Sequence, residues 1–276
     1  MDRFTLCAFA DEAGVSIQEQ IDALHANQIP WLEIRGVEGR NITELSLNEA
    51  AALSKRLSEE GITVWSVGSP CGKISIREPF SPHLDLFCHT LELARTLGAR
   101  CLRLFSFFTD GATAEECRDE VLERLERMAQ AAAGSGIVLC HENEKGIYGD
   151  TAVRCEDIHR SLPALKAVFD PANFLQCGQD TLPAFERLSP YIHYLHIKDC
   201  RSNGGIVPAG HGEGHLPELI RAFGRQGGEV LTLEPHLAIF DGLEQLEQGQ
   251  KSEVENAYPT PRAAFDAAAQ ALRECL

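Results

Sequence analysis

"TAEECRDEVLERLERMAQAAAGSGIVLCHE" (residues 113–142) joins two periodicities through a glycine. Its first part repeats apolar residues at helical spacing behind Thr113, whose hydroxyl is placed to cap a first turn. Gly136 then suits a left-handed exit from a helix, and "IVLCHE" reads as a buried strand that ends on His141 and Glu142.

The same order recurs along the chain. Strand-like runs occur at "FTLCAF" (4–9), "WLEI" (31–34), "ITVWSV" (62–67), "CLRLF" (101–105), "LKAVF" (165–169), "YIHYLHI" (191–197) and "EVLTL" (229–233), which with 137–142 makes eight. Helix-period stretches such as "SIQEQIDALHANQ", "SLNEAAALSKRLSEE" and "HLDLFCHTLELARTLG" lie between them, and Gly61 and Gly98 punctuate as Gly136 does. Alternating strands and helices require parallel strands with right-handed crossovers. Eight such units in 276 residues predict one closed (β/α)8 TIM barrel, with 1–276 as a single domain. The polar stretch "DGLEQLEQGQKSEVENAY" (241–258) reads as a surface loop or helix, with a flap over the barrel mouth as the alternative, and "PRAAFDAAAQALREC" as the final helix.

Hydrophobic residues at 44% and charged ones at 24% supply a large core and exclude a disordered chain. A net charge of -16 repels a phosphate backbone, which argues against nucleic acid as a partner. The N-terminal apolar run is too short for a signal sequence, no run is long enough for a membrane span, and a cytoplasmic location is expected. The ten cysteines include no CxxC pair and read as reduced thiols, mostly small apolar fillers.

Barrel enzymes place their chemistry at the C-terminal strand ends, and here those ends are acidic. The fifth strand closes on His141, Glu142 and Asn143, the sixth on Asp170, the seventh on His196, Lys198 and Asp199, and the eighth on Glu234 and His236. Three carboxylates in one low-dielectric mouth repel one another unless a cation holds them. Glu142, Asp170, His196 and Glu234 are 28, 26 and 38 positions apart, each interval fitting one βα unit, and form a candidate site for one divalent ion. Three oxygens and an imidazole suit Mn²⁺, Mg²⁺ or Co²⁺, with Zn²⁺ left open.

"HENEKGIYGD", "FDPANF", "HIKD", "PAGHGEG" and "LEPHL", in this order with "FADEAG", "SPCGK" and "RLFSFF" before them, resemble the sugar phosphate isomerase/epimerase family of xylose isomerase-like barrels. That family includes ketose 3-epimerases, inosose dehydratase and, more distantly, the endonuclease IV type of DNA-repair enzyme. The resemblance implies that Glu142, Asp170, His196 and Glu234 hold the metal. It also implies that Glu142 and Glu234 are the acid/base pair on the two faces of a substrate carbon. A hydrogen beside a carbonyl is weakly acidic, so its removal needs a base and stabilisation of the resulting enediolate. Return of the proton to the same carbon epimerises, and to its neighbour isomerises.

In "HENE", Glu142 ends the strand and is preferred to Glu144 as the ligand. Lys198, two residues beyond His196, leans to the same side and is a candidate for holding a substrate oxygen. Glu33 and Arg35 at the end of the second strand, His211 in the glycine-rich loop and Asn173 are the other candidate substrate contacts, and Lys73 and Arg201 could meet a phosphate. The expected substrate is therefore a sugar or sugar phosphate. A lyase that eliminates water is the nearest alternative, a non-catalytic sugar-binding barrel another. Asn173 stands where the DNA-repair branch would carry a further histidine, which weakens that reading, and a homo-oligomer is left open.

Overall fold

A computed structural model of the chain describes residues 4–238 and 258–276. The barrel strands are β1 (Thr5–Ala8), β2 (Trp31–Ile34), β3 (Thr63–Gly68), β4 (Cys101–Leu104), β5 (Val138–Glu142), β6 (Lys166–Phe169), β7 (Ile192–Ile197) and β8 (Val230–Leu233). Each pairs in parallel with its sequence neighbours, and β1 closes on β8 from Thr5 opposite Val230 to Ala8 opposite Leu233. All eight expected strands are present, and the closed (β/α)8 barrel is the observed fold.

Around the strands run α1 (Ile17–Ala26), α2 (Leu47–Glu59), α3 (Phe80–Leu97), α4 (Ala114–Ala132), α5 (Ala152–Ser161), α6 (Pro171–Gln176), α7 (Thr181–Leu188), α8 (Leu216–Arg225) and α9 (Pro261–Cys275). Ser16, Ser46 and Thr113 cap α1, α2 and α4 reciprocally with Glu19, Glu49 and Glu116, each pair satisfying two backbone donors that a helix start leaves open. Gly98 ends α3 at φ 71°, as its place before β4 predicts. Among the described residues no helix is long and apolar enough to cross a membrane. All ten cysteines are free thiols, eight of them buried. The 241–258 stretch lies, apart from Tyr258, outside the described residues.

Strand alternation builds the site. Cys7, Cys101, Cys140, Val168, Tyr194 and Val230 form one apolar cluster, separate from the larger core packed between strands and helices. Two residues further along, the same side of the strands presents Phe9, Arg103, Glu142, Asp170, His196 and Thr232, four of them titratable. A floor of small and aromatic side chains therefore carries a layer of charged ones. On β7, Leu195 and Ile197 face the helical shell while Tyr194, His196 and, just past the strand, Lys198 follow one another inward.

The glycines after β7 have a structural task. Asp199 accepts backbone N–H groups from Cys200, Gly210, Gly212 and Gly214 at 2.9–3.0 Å, so the loop wraps the chain's own carboxylate. A Cβ on Gly212 would lie 2.4 Å from Asp199 Oδ1 and 2.5 Å from the Cys200 carbonyl oxygen, so only glycine fits there.

Candidate metal centre

Glu142 ends β5, Asp170 follows β6, His196 lies in β7 and Glu234 follows β8. All four are buried, and one donor atom from each falls within 4.8 Å of the others. His196 Nδ1 is 3.1 Å from Glu142 Oε1 and 3.2 Å from Glu234 Oε2. The sequence "DPAN" explains how Asp170 is held: it is the N-cap of α6, Pro171 occupies the first helical turn, and Oδ1 accepts the Asn173 N–H at 2.8 Å.

Each carboxylate divides its two oxygens. Glu142 gives Oε2 to Arg103 Nη1 at 2.9 Å and turns Oε1 to His196. Glu234 gives Oε1 to Arg35 Nη1 at 3.0 Å and turns Oε2 to His196. Asp170, with Oδ1 committed to its helix, turns Oδ2 toward Lys198 Nζ, 2.9 Å away. Asp170 Oδ2 and Glu234 Oε2 are buried and face the charged Lys198 and His196 groups. One imidazole nitrogen and three buried carboxylate oxygens converging on one point are a donor set that fits a hard or borderline divalent cation. The group that would sit there is a metal ion, and the residues present fit it.

The electrostatics are those of a dense buried cluster of opposed charges. Burial pushes the Asp170 carboxyl up to about 6 against the pull of Lys198. Burial also works against the charges of Glu142 and Glu234, yet His196 with Arg103 holds the first below the usual carboxylate range, and Lys198 with His236 holds the second well below it. His196 is driven well above the ordinary imidazole range despite burial, because Glu142 and Glu33 face it.

The profile of the xylose isomerase-like TIM barrels matches residues 21–274. The chain belongs to that family. A search of curated proteins finds no match. Among solved structures, D-psicose 3-epimerase with D-tagatose from Clostridium cellulolyticum H10 superposes with a TM-score of 0.78 at 15% identity, covering 99% of this chain and 98% of that one. The probable 3-DHS dehydratase AsbF of Bacillus anthracis gives 0.73 at 16%, covering 98% of each chain. The IolI protein with a bound zinc atom gives 0.72 at 15%, covering 99% and 98%. At such identities the likeness is one of fold.

Within this xylose isomerase-like barrel the remaining candidates separate. Lys198 pairs with Asp170 and stands 3.5 Å from Glu234 Oε2, so it belongs to the cluster. Asn173 is buried and donates to Glu142 Oε1 at 3.3 Å and to the Asn143 carbonyl at 3.0 Å, bracing a ligand candidate. Arg35 is buried among Asp11, Glu12 and Glu234 at 2.9–3.1 Å. Glu33 is buried between Tyr194 and His196. His211 is exposed on its loop, away from the cluster's donor set. Glu144 pairs with Lys73 at 2.9 Å, and that lysine lies over the Phe105 ring, so Lys73 is already matched to a carboxylate.

Sequence reasoning passed over Arg103 and Glu12. Arg103 carried a legible signal, being two residues beyond Cys101 on an inward-facing register. Glu12 carried none, because it lies in a short turn after β1. It accepts the His236 N–H at 2.7 Å and with Glu234 and His236 makes a second converging group. There the Arg35 guanidinium already supplies the positive charge, bonded to both carboxylates.

Proposed function

We propose that this protein is a divalent-metal-dependent isomerase or epimerase acting next to the carbonyl of a sugar. The observation that carries the reading is the pair Glu142 and Glu234, which come from β5 and β8 with two strands between them and each aim one oxygen at His196 Nδ1 while an arginine holds the other. Glu142, Asp170, His196 and Glu234 would hold the ion. When bound, it would supply Lewis-acid stabilisation of the negative charge that develops on the carbonyl oxygen.

The chain's own groups do the rest. One glutamate takes the proton from the carbon and the other returns it, each kept on its axis by its arginine. Lys198 Nζ, beside Asp170 and Glu234, holds a substrate oxygen at the same point. Burial of all these groups keeps water from screening them. The epimerase among the structural neighbours supports this reading. The dehydratase neighbour favours a second one, in which the same proton abstraction is followed by loss of a β-hydroxyl.

The test is proton exchange in D₂O, followed by NMR, over ketoses, aldoses, inososes and their phosphates, with and without added Mn²⁺ or Co²⁺. Metal-dependent deuterium incorporation into a product that has lost no water is expected. A product lighter by one water would establish the lyase, and binding of sugars without exchange would leave only a binding protein.

Metal affinity should depend on pH in two steps. His196, held protonated well above its ordinary range, and Asp170, at about 6, must each lose a proton before binding the ion. Affinity should therefore fall about tenfold per unit of acidification above pH 6 and more steeply, toward about a hundredfold per unit, below it. Chelator competition from pH 5 to 8 measures this, and a flat profile would contradict the assigned ligands.

A further inference from the structure

The face of His196 turned away from the cluster meets Glu33. Its Nε2 is 3.3 Å from Glu33 Oε2, while Glu33 Oε1 accepts the Tyr194 hydroxyl at 2.8 Å, and Tyr194 Oη is in turn 3.3 Å from Ser66 Oγ. Each member of this chain is buried. Phe9 and Tyr194 stand edge-on to the imidazole, with centroids at 5.3 and 5.5 Å, so the ring has little room to rotate.

A carboxylate only accepts hydrogen bonds, so Nε2 donates to Glu33 and, without an ion, Nδ1 donates toward Glu142 and Glu234. An ion held by the carboxylates would take the place of the Nδ1 proton, since Glu33 keeps the one on Nε2, and the lone pair then offered on Nδ1 points at Glu142 Oε1 and Glu234 Oε2. Two carboxylate oxygens opposite a lone pair repel it unless a cation lies between them. The position of Glu33 thus decides which nitrogen is offered to the ion and raises its basicity. We infer that Glu33 is a positioning residue of the metal centre, acting through His196 Nε2, with Tyr194 holding its other oxygen. This gives Glu33 a place under the metal site in the barrel floor, not a contact with substrate.

The inference rests on the metal centre proposed above, and it is tested without any substrate. Co²⁺ alone is titrated into the wild-type protein and into the Glu33→Gln, Glu33→Ala and Tyr194→Phe variants, reading affinity by chelator competition and coordination by visible absorption. Glu33→Ala should weaken Co²⁺ binding toward about a hundredfold. Glu33→Gln, isosteric and still able to accept from Nε2–H, should lose only about tenfold and keep the wild-type spectrum. Tyr194→Phe should fall between wild type and Glu33→Gln. This graded order, with partial rescue by the amide, is not produced by a residue that only fills space. Wild-type Co²⁺ affinity in both folded Glu33 variants would overturn the inference. Absence of Co²⁺ binding in the wild-type protein would instead overturn the metal centre itself, so the two failures are separable.

Discussion

Glu234→Gln is expected to lose both turnover and metal, with the chemical step falling about 10²- to 10⁴-fold from the missing proton carrier alone. An isolated amide could keep an oxygen on the ion, but this site does not allow it. Arg35 Nη1 needs an acceptor at the Oε1 position, 3.0 Å away, which fixes the amide oxygen there. The amide nitrogen then takes the Oε2 position, against His196 Nδ1 at 3.2 Å and Lys198 Nζ at 3.5 Å. Donors would face donors, and the flipped amide merely moves the conflict to the guanidinium. Metal analysis of the purified variant and deuterium exchange in D₂O check the two losses separately. Near-normal exchange would remove Glu234 from the mechanism.

Arg35→Met should produce the largest loss of stability, about 3–5 kcal/mol, because it strands buried carboxylates in place of a matched cluster. The guanidinium bonds Asp11, Glu12 and Glu234 and lies 4.4 Å from the centre of the Phe9 ring. Methionine replaces its volume but not its charge. The deficit should also depend on pH, with a definite sign. Burial already raises the Glu12 carboxyl against the pull of His236 and Arg35, and removing Arg35 raises it further. A carboxyl whose folded pKa exceeds its unfolded value binds more protons in the native state, so stability rises as pH falls between the two values. The gap between variant and wild type should therefore narrow from pH 7 toward pH 5. Urea titrations at both pH values measure it, and adding Glu12→Gln should recover part of the loss at pH 7. A midpoint unchanged from wild type would show that the cluster carries no such energy.

Much of the fold is legible from local pattern. Ser16, Ser46 and Thr113 announce their helices because capping is settled within four residues, and Gly98 marks an exit because a positive φ is a property of one residue, whereas Gly136, at φ 81°, lies past the end of α4 in the turn before β5. The four ligand candidates could be named because each ends a strand one βα unit from the next. Lys198 was assigned to the mouth, but its partner Asp170 comes from a different strand end, and no local signal links the two. The glycines around His211 serve Asp199, a use that the loop's composition does not distinguish from ligand binding.

The sequence by itself determined eight alternating units, a closed barrel and an acidic mouth, since periodicity, caps and strand ends are written in neighbouring residues. Only the tertiary structure decided which oxygen of each carboxylate is free, which arginine holds the other, and which nitrogen of His196 faces the cluster. Arg35 meets Glu234 across 199 positions and Glu33 meets His196 across 163. Contacts at that separation arise from barrel closure and strand stagger, which set the level of each inward side chain against the others.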